Sequence, residues 1–224
     1  LEKGWDEGDM DALLQHYVAS IPVHLKRRSL VLLGWSLASR LALMLVPHLQ
    51  ARGFTVEGLV VLDHDAQRSL AGEGDEAGQL IADFAFYCRT HAQPIGESLR
   101  ERLTGLLAGL DYAEGVARLL DDAQVRAHLQ WEAADADLLT LLAQYRSIKR
   151  RLYEQSLPTV DVPLWLWRGN AHADLRAQWQ AHTRQAVRQW TLDVGHHEML
   201  GAPRLVESLL PLLLQTSAKV VSAP

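Results

Sequence analysis

The fold class of this chain follows from residues 29–38, which read SLVLLGWSLA. The apolar first half ends in glycine and has the length of a strand that is buried on both faces of a parallel sheet. An apolar helix is predicted at 37–52, and Gly53 is well placed to end it. A second buried strand is predicted at 56–63, with an acidic residue at its end. Strand, helix and strand in this order are typical of a βαβ unit in an α/β domain.

A helical segment without a convincing strand interrupts the α/β pattern. We predict a first core part at 1–65, a helical insertion at 66–157, a second core part at 158–216 and a tail at 217–224. The insertion opens with an acidic, glycine-rich loop at 71–78, and the small, polar tail is predicted to be disordered or a linker. The other predicted elements are a helix at 10–26, helices at 80–91, 95–107, 112–120, 125–131 and 136–154, strands at 162–169 and 187–194, and helices at 176–182 and 203–214.

Composition and charge argue against several classes of protein. The 224 residues include 48% hydrophobic residues and carry a formal net charge of −5, which is a globular composition and not that of a general nucleic-acid binder. Short basic runs lie at 26–28 and 149–151, and we expect both on solvated faces. The single cysteine, Cys88, rules out a disulfide within the chain and fits a reducing, cytoplasmic setting. No uncharged apolar run reaches about 18 residues, so no membrane span is predicted.

Ser36 lies between the buried strand and the apolar helix, which is the setting of a nucleophile elbow. The residues two positions before and after such a serine must be small, because strand and helix approach closely there. Gly34 and Ala38 meet this requirement, although the usual pattern has glycine at the second position. The backbone N–H of Leu37, at the start of the helix, is a candidate oxyanion-hole donor. The alternative interpretation is a serine that only caps a helix.

A serine nucleophile needs a base and an orienting acid, and the chain offers candidates for both. Asp63 follows the second strand, so it is expected at the same edge of the sheet as the serine, while Asp65 and Asp174 are the alternative acids. His196 and His197 follow the last predicted strand and are the candidate bases, and their positions do not decide between them. Adjacent histidines rarely ligate one metal, and neither an HExxH pattern nor a cysteine cluster is present, so no metal site is predicted.

These motifs together resemble the thioesterase domains of nonribosomal peptide synthetases and related polyketide synthases, which have the α/β-hydrolase fold. The resemblance rests on LLGWSLA at 32–38, ARGFTV at 51–56, LVVLD at 59–63 and VGHHEML at 194–200. In this family the acid follows the strand after the elbow, which implies that Asp63 is the acid. The last motif is similar to the family's G-x-H-x-x-M-L, and alignment on its final two residues implies that His196 is the base. Val194 then stands where the family has glycine.

The resemblance also implies a central, mostly parallel sheet and a helical lid, at 66–157, that covers the acyl-binding cleft. Ala38 and Ser39 stand where the family has a pair of glycines. The family's opening strands, with the loop that donates the second oxyanion-hole N–H, are expected to be missing from this chain. Tryptophans are expected either to line the cleft or to pack in the core. They are Trp131, Trp165, Trp167 and Trp179.

The implied function is the release of a peptide or polyketide chain from a carrier domain, by hydrolysis or by cyclisation. Ser36 would accept the acyl chain from the 4′-phosphopantetheine arm of an acyl or peptidyl carrier domain, so the expected partners are the carrier and the acyl chain. No cofactor bound by this domain, no nucleic acid and no membrane are expected. The alternatives are a stand-alone editing thioesterase, an acyl shuttle, a general esterase or a non-catalytic interaction domain that keeps the hydrolase scaffold.

Overall fold

The computed structural model describes residues 10–68, 75–90, 93–129, 135–170 and 174–221. The chain forms two compact units. Unit 1 consists of residues 1–68 and 155–224, and unit 2 consists of residues 69–154. The chain therefore leaves unit 1 after Arg68 and returns to it at Gln155.

Unit 1 contains a parallel sheet whose four strands are neighbours in the order in which they occur in the chain, β1-β2-β3-β4. The strands are β1 Ser29–Trp35, β2 Thr55–Leu62, β3 Leu164–Arg168 and β4 Val187–Thr191. The predicted α/β class is therefore correct for this unit. β3 is shorter than predicted and begins after Pro163, which has no N–H to donate to a neighbouring strand.

The helices connect these strands and build unit 2. They are α1 Met10–Ser20, α2 Ala38–Ala51, α3 Glu76–Thr90, α4 Glu97–Leu107, α5 Tyr112–Asp121, α6 Ala123–Leu129, α7 Asp135–Glu154, α8 Arg176–Gln180 and α9 Pro203–Val221. Two helix bounds depart furthest from the prediction. The first helix ends at Ser20, because Pro22 breaks it and a short 3₁₀ turn follows at Val23–Arg27. The last helix continues to Val221, so the segment 217–221 is helical.

The sheet of unit 1 is covered by helices on both faces, and the alternation of side chains along the strands separates the two cores. Leu59 and Val61 of β2 pack with residues of α1, α2 and α8. Val60 and Leu62, which point the other way, pack with residues of the segment 199–205 at the start of α9. This layering explains why β2 reads as a continuous apolar run.

Parallel pairing brings the carboxyl ends of the strands to one edge of the sheet. Trp35, the last residue of β1, is paired with Leu62, the last residue of β2. The N–H of Ser36 donates to the carbonyl of Leu62 at 2.8 Å, and the N–H of Asp63 donates to the carbonyl of Trp167 at 2.7 Å. The residues that follow β1 and β2 are therefore held side by side.

Unit 2 is an α-helical unit in which α3 to α7 enclose a separate apolar core. Lys149 is buried in it, with Nζ 3.0 Å from Oδ1 of Asp83, and the hydroxyl of Tyr112 donates to Oδ2 of Asp83 at 3.1 Å. The expectation that the whole basic run 149–151 is solvated is therefore wrong. The predicted loop at 71–78 is also too long, because α3 begins at Glu76, and its first four residues lie outside the described residues.

The described residues contain neither a helix suited to crossing a membrane nor a metal-binding cluster. In the described ranges, none of the helices combines the length and the apolar character needed to cross a bilayer. Among the same residues, no group of three or more His, Cys, Asp and Glu side chains is arranged to hold a metal ion.

Candidate active site

Ser36 occupies a sharp turn between β1 and α2. Its φ of 53° lies in the left-handed region, which residues other than glycine rarely adopt. A Cβ atom at Gly34 would lie 2.4 Å from Cα of Ser39 and 2.6 Å from the carbonyl oxygen of Ala38. Strand and helix thus approach as closely as the sequence pattern requires. Ser39 fits in place of the family's second glycine because its buried hydroxyl donates to the carbonyl of Gly34 at 2.8 Å.

Leu37 follows Ser36 and directly precedes α2, with helical torsion angles of φ −53° and ψ −32°. The first N–H groups of a helix have no acceptor within the helix and lie at the positive end of its dipole. The N–H of Leu37 is therefore placed at the helix terminus beside Ser36, and its role as an oxyanion donor stays a prediction.

Asp63 and His196 are brought together although they lie far apart in the sequence. Nδ1 of His196 lies 2.7 Å from Oδ2 of Asp63, and the N–H of Gly169 donates to Oδ1 of Asp63 at 3.0 Å. The side chain of Asp63 is 11% exposed, and that of His196 is 30% exposed. Asp63 has a φ of 51°, so both residues that follow the paired strands β1 and β2 are in the left-handed region.

The charge state of Asp63 determines the tautomer of His196. Burial raises the pKa of Asp63, but the hydrogen bonds from His196 and from the N–H of Gly169, with the positive charge of Arg168 nearby, bring it below its ordinary value. Asp63 is therefore a carboxylate at neutral pH and can only accept a hydrogen bond. Nδ1 of His196 must carry the shared proton, so Nε2 of the neutral ring has the free lone pair.

The other candidate residues have different partners. Oδ1 of Asp65 accepts from the N–H of Gln67 at 2.8 Å. Asp174 pairs with the side chain of Arg176 and accepts from its N–H. The ring of His197 is exposed and meets the ring of His196 edge-on, with centroids 5.0 Å apart. The structure therefore brings Asp63 together with His196, whereas Asp65 and Asp174 have local partners.

Backbone contacts fix the loop that carries His196. The N–H of Gly195 donates to Oε2 of Glu198 at 3.0 Å, and the N–H of Glu198 donates to the carbonyl of Gly195 at 3.1 Å. A Cβ atom at Gly169 would lie 2.5 Å from the carbonyl oxygen of Val194, so this loop packs directly against the end of β3. Gly169 and Glu198 were not predicted as site residues, because contacts to backbone atoms leave little trace in a sequence.

Trp35, the residue before Ser36, contacts His196 twice. The indole and imidazole rings are stacked, with centroids 5.1 Å apart and an angle of 27° between the planes. Nε1 of Trp35 also donates to the backbone carbonyl of His196 at 3.2 Å. The end of β1 and the loop after β4 are thereby joined at the candidate site.

The loop after Asp63 is held by two buried side chains. Nε1 of Trp179 donates to the carbonyl of His64 at 2.9 Å. Nη1 of Arg40, on the first turn of α2, donates to the carbonyl of Ala66 at 2.8 Å, and its Nη2 donates to the carbonyl of Gln155 at 3.0 Å. Arg40 thus binds two backbone carbonyls, one close to the point at which the chain leaves unit 1 and one at the point at which the chain returns to it.

His64, next to Asp63, is 3% exposed. Burial, together with the positive charges of Arg40, Arg68 and His196, lowers the pKa of His64 to about 3. His64 is therefore a neutral packing residue at pH 7, with its ring edge-on to that of Trp179 at 6.4 Å.

The tryptophans considered for a cleft lie in the core of unit 1. Trp165, Trp167 and Trp179 are at most 6% exposed, and Nε1 of Trp167 donates to the hydroxyl of Ser208 at 2.8 Å. These three residues stabilise the packing of the sheet against its helices. Trp131 lies outside the described residues.

Comparison with known proteins supports the likeness in fold. The chain matches no family model and no curated protein sequence. It matches a four-domain nonribosomal peptide synthetase bound to AMP and glycine with 18% identity and a TM-score of 0.69, covering 100% of this chain and 17% of that chain. It also matches the Vlm2 thioesterase domain with genetically encoded 2,3-diaminopropionic acid, bound with a dodecadepsipeptide, with 19% identity and a TM-score of 0.60.

The Vlm2 match covers 92% of this chain and 73% of that chain. SrfTE, the thioesterase domain that cyclises the lipopeptide antibiotic surfactin, matches with 18% identity and a TM-score of 0.52, over 93% of this chain and 76% of that chain. The chain therefore has the fold of nonribosomal peptide synthetase thioesterase domains, as the sequence motifs predicted.

Proposed function

We propose that the chain is an acyl-thioesterase that releases a peptide or polyketide chain from a carrier domain through a serine acyl-enzyme. The observation that carries the proposal is the 2.7 Å contact between His196 and Asp63, at the sheet edge where Ser36 adopts its left-handed turn. A nucleophile, an acid and a base in this chain order, each after a strand of a parallel sheet, are typical of α/β-hydrolases. We accordingly assign unit 1 to the hydrolase core and unit 2 to the lid.

In the acylation step, Nε2 of His196 takes the hydroxyl proton of Ser36 while Oγ attacks the thioester carbonyl. Asp63 keeps the imidazole in the required tautomer and stabilises the imidazolium. The N–H of Leu37 binds the oxyanion of the tetrahedral intermediate. The C–S bond then breaks, the acyl group remains on Ser36, and the leaving thiolate receives the proton from His196.

In the release step, His196 acts as a base a second time. Water attacks the acyl-serine in hydrolysis, or a hydroxyl or amine of the acyl chain attacks it in cyclisation. His196 takes the proton of this second nucleophile and returns it to Oγ of Ser36 as the ester bond breaks. The same residues serve both outcomes, so the acyl chain and its access to water determine which product forms.

The substrate in this proposal is an acyl chain on the 4′-phosphopantetheine of a partner carrier domain, and the domain itself binds no cofactor. Two solved relatives support a peptide or depsipeptide chain, since Vlm2 is bound with a dodecadepsipeptide and SrfTE cyclises a lipopeptide. The absence of nucleic-acid and membrane partners and the cytoplasmic location stay predictions.

The proposal is tested by intact-mass analysis after labelling with a fluorophosphonate, which reacts with activated serines. We expect a single adduct on the wild type and none on Ser36→Ala. We expect a loss of about 10³-fold or more in the labelling rate of His196→Ala, because removing the base leaves the hydroxyl unactivated. His197→Ala is the matched control and should label at the wild-type rate, since the Asp63 carboxylate contacts the neighbouring imidazole.

A folded wild-type protein that gives no adduct would contradict the proposal and favour a non-catalytic domain. Equal loss of labelling in His196→Ala and His197→Ala would contradict the assignment of the base. Carrier discharge is then measured with a short acyl group on a phosphopantetheinylated carrier domain, and Ser36→Ala should leave that thioester intact.

A further inference from the structure

Trp35 makes two separate contacts with the candidate base, from the position directly before the candidate nucleophile. Its ring stacks on the imidazole of His196 at 5.1 Å, and its Nε1 donates to the carbonyl of the same residue at 3.2 Å. Trp35 is anchored at the end of β1 and packs against the apolar cluster that contains Met199 and Leu205. A single side chain on the sheet therefore holds both the ring and the backbone of a loop residue.

The stacked contact distinguishes between the two charge states of His196. The face of an indole ring carries negative potential and attracts a cation within about 6 Å of its centroid. A neutral imidazole gains only the ordinary contact energy. The contact is therefore stronger once His196 has accepted a proton, and only interactions that strengthen towards the transition state raise the rate of the chemical step.

We propose that Trp35 is a positioning residue for His196, whose indole N–H fixes the loop and whose ring face stabilises the imidazolium formed as Ser36 is deprotonated. This inference rests on the proposed function, because it assigns His196 the role of the base. It gives the tryptophan of the GWS motif a role in the reaction that is separate from the packing of the sheet.

In addition to the indole of Trp35, several charged or titratable groups lie near His196. Asp63 approaches its Nδ1 from the loop after β2, and His64 follows Asp63 on that loop. His197 meets the ring of His196 from the same loop, and the charge of Arg168 reaches Asp63 from the end of β3. Replacement of Trp35 leaves all four residues in the chain, so a change in the titration of His196 is compared between the Trp35 and Trp190 variants to report the loss of the indole.

Two replacements separate the two contacts. Trp35→Phe keeps an aromatic face and removes the N–H, whereas Trp35→Met fills the space with a flexible apolar chain and removes both. Trp190→Phe and Trp190→Met are the matched controls, because Trp190 is a half-buried tryptophan that packs against the same cluster and stacks on Trp167. For each protein, the rate of fluorophosphonate labelling is measured from pH 5 to pH 9, and the ring of His196 is titrated by NMR.

We expect the midpoint of the pH–rate profile and of the NMR titration to fall by about 0.5 to 1 pH unit in Trp35→Met. In Trp35→Phe the midpoint should stay within about 0.3 unit, and the plateau rate should fall by about 2- to 10-fold because the loop loses a hydrogen bond. Both Trp190 variants should keep the wild-type midpoint and rate. An unchanged midpoint in folded Trp35→Met, or an equal fall in Trp190→Met, overturns the inference.

Fluorinated tryptophan provides a test that preserves the shape of the side chain. Incorporation of 5-fluorotryptophan withdraws charge from the ring face and should lower the midpoint in the wild type but leave it unchanged in Trp35→Phe. A midpoint that is equal with and without fluorine contradicts the role of the ring face, whether or not Trp35→Met folds. If the wild type reacts with no fluorophosphonate, the proposed function fails, and the NMR titration still decides whether Trp35 stabilises the imidazolium.

Discussion

His64→Gln is expected to make unit 1 less sensitive to mild acid. His64 is 3% exposed, and burial lowers its pKa from the ordinary value of 6.5 to about 3. In the unfolded chain the residue regains its ordinary pKa. Below pH 6.5 the unfolded state therefore binds a proton that the folded state does not, and the free energy of unfolding falls as the pH falls towards 3. Above pH 6.5 this contribution to stability is fully present.

The magnitude follows from the two pKa values. Each pH unit between them is worth about 1.36 kcal/mol of unfolding free energy for one proton. Integration from pH 7 to pH 5 gives a loss of about 2 kcal/mol, and the whole window gives about 5 kcal/mol. The change to Gln removes the titrating ring, so the variant should lack this loss of about 2 kcal/mol, whatever its stability at pH 7.

The assay is urea unfolding at pH 7 and pH 5, followed by tryptophan fluorescence. This signal reports mainly on unit 1, which contains Trp35, Trp165, Trp167, Trp179 and Trp190. His24→Gln is the control, because His24 is exposed and its replacement should leave the wild-type pH dependence unchanged. If His64→Gln loses as much stability between pH 7 and pH 5 as the wild type does, the assignment of His64 as a neutral buried residue is wrong.

Three further changes test the turn at Ser36, the candidate acid and the segments at which the chain passes between the two units. Gly34→Ala places a Cβ atom 2.4 Å from Cα of Ser39 and should lower the free energy of unfolding by about 1–3 kcal/mol, as measured in urea. Gly201→Ala is the control and should leave this free energy almost unchanged, because the space around Gly201 is open. Equal stabilities of the two variants would contradict the close approach of strand and helix. Asp63→Asn should lower fluorophosphonate labelling by about 10³- to 10⁴-fold, because the amide no longer selects the reactive imidazole tautomer, and a loss below 10-fold would contradict its assignment as the acid. Arg40→Met removes two hydrogen bonds to backbone carbonyls, one buried and one half-buried, and should speed hydrogen exchange of the amides at 64–68 and 155–157. Unchanged exchange would show that Arg40 does not hold these segments.

The sheet could be predicted from the sequence because each central strand is buried on both faces and reads as an apolar run. The turn at Ser36 was also predictable, since the small residue at position 34 reports how closely strand and helix approach. The end of the first helix was not predictable from periodicity, because the helical spacing of apolar residues continues past Pro22. The backbone cannot continue the helix there, since proline has no N–H to donate.

The partners of the candidate acid could not be derived from spacing alone. Asp63, Asp65 and Asp174 all follow strands, and the contact that distinguishes Asp63 includes the backbone N–H of Gly169, which any residue type could supply. The burial of Lys149 was missed for a related reason. Its partner Asp83 lies on another helix of unit 2, and the local charge run indicates only a polar surface.

Arg40 holds both ends of the segment that forms unit 2 through contacts that do not depend on side-chain type. One guanidinium binds the chain near the exit from unit 1, at Ala66, and at the return, at Gln155, and both bonds go to backbone carbonyls. Every residue type has a backbone carbonyl, so these two hydrogen bonds do not require a particular side chain at either attachment point. The attachment of Arg40 at both ends of unit 2 therefore depends on where the main chain runs at Ala66 and Gln155, and not on the side chains at these two positions.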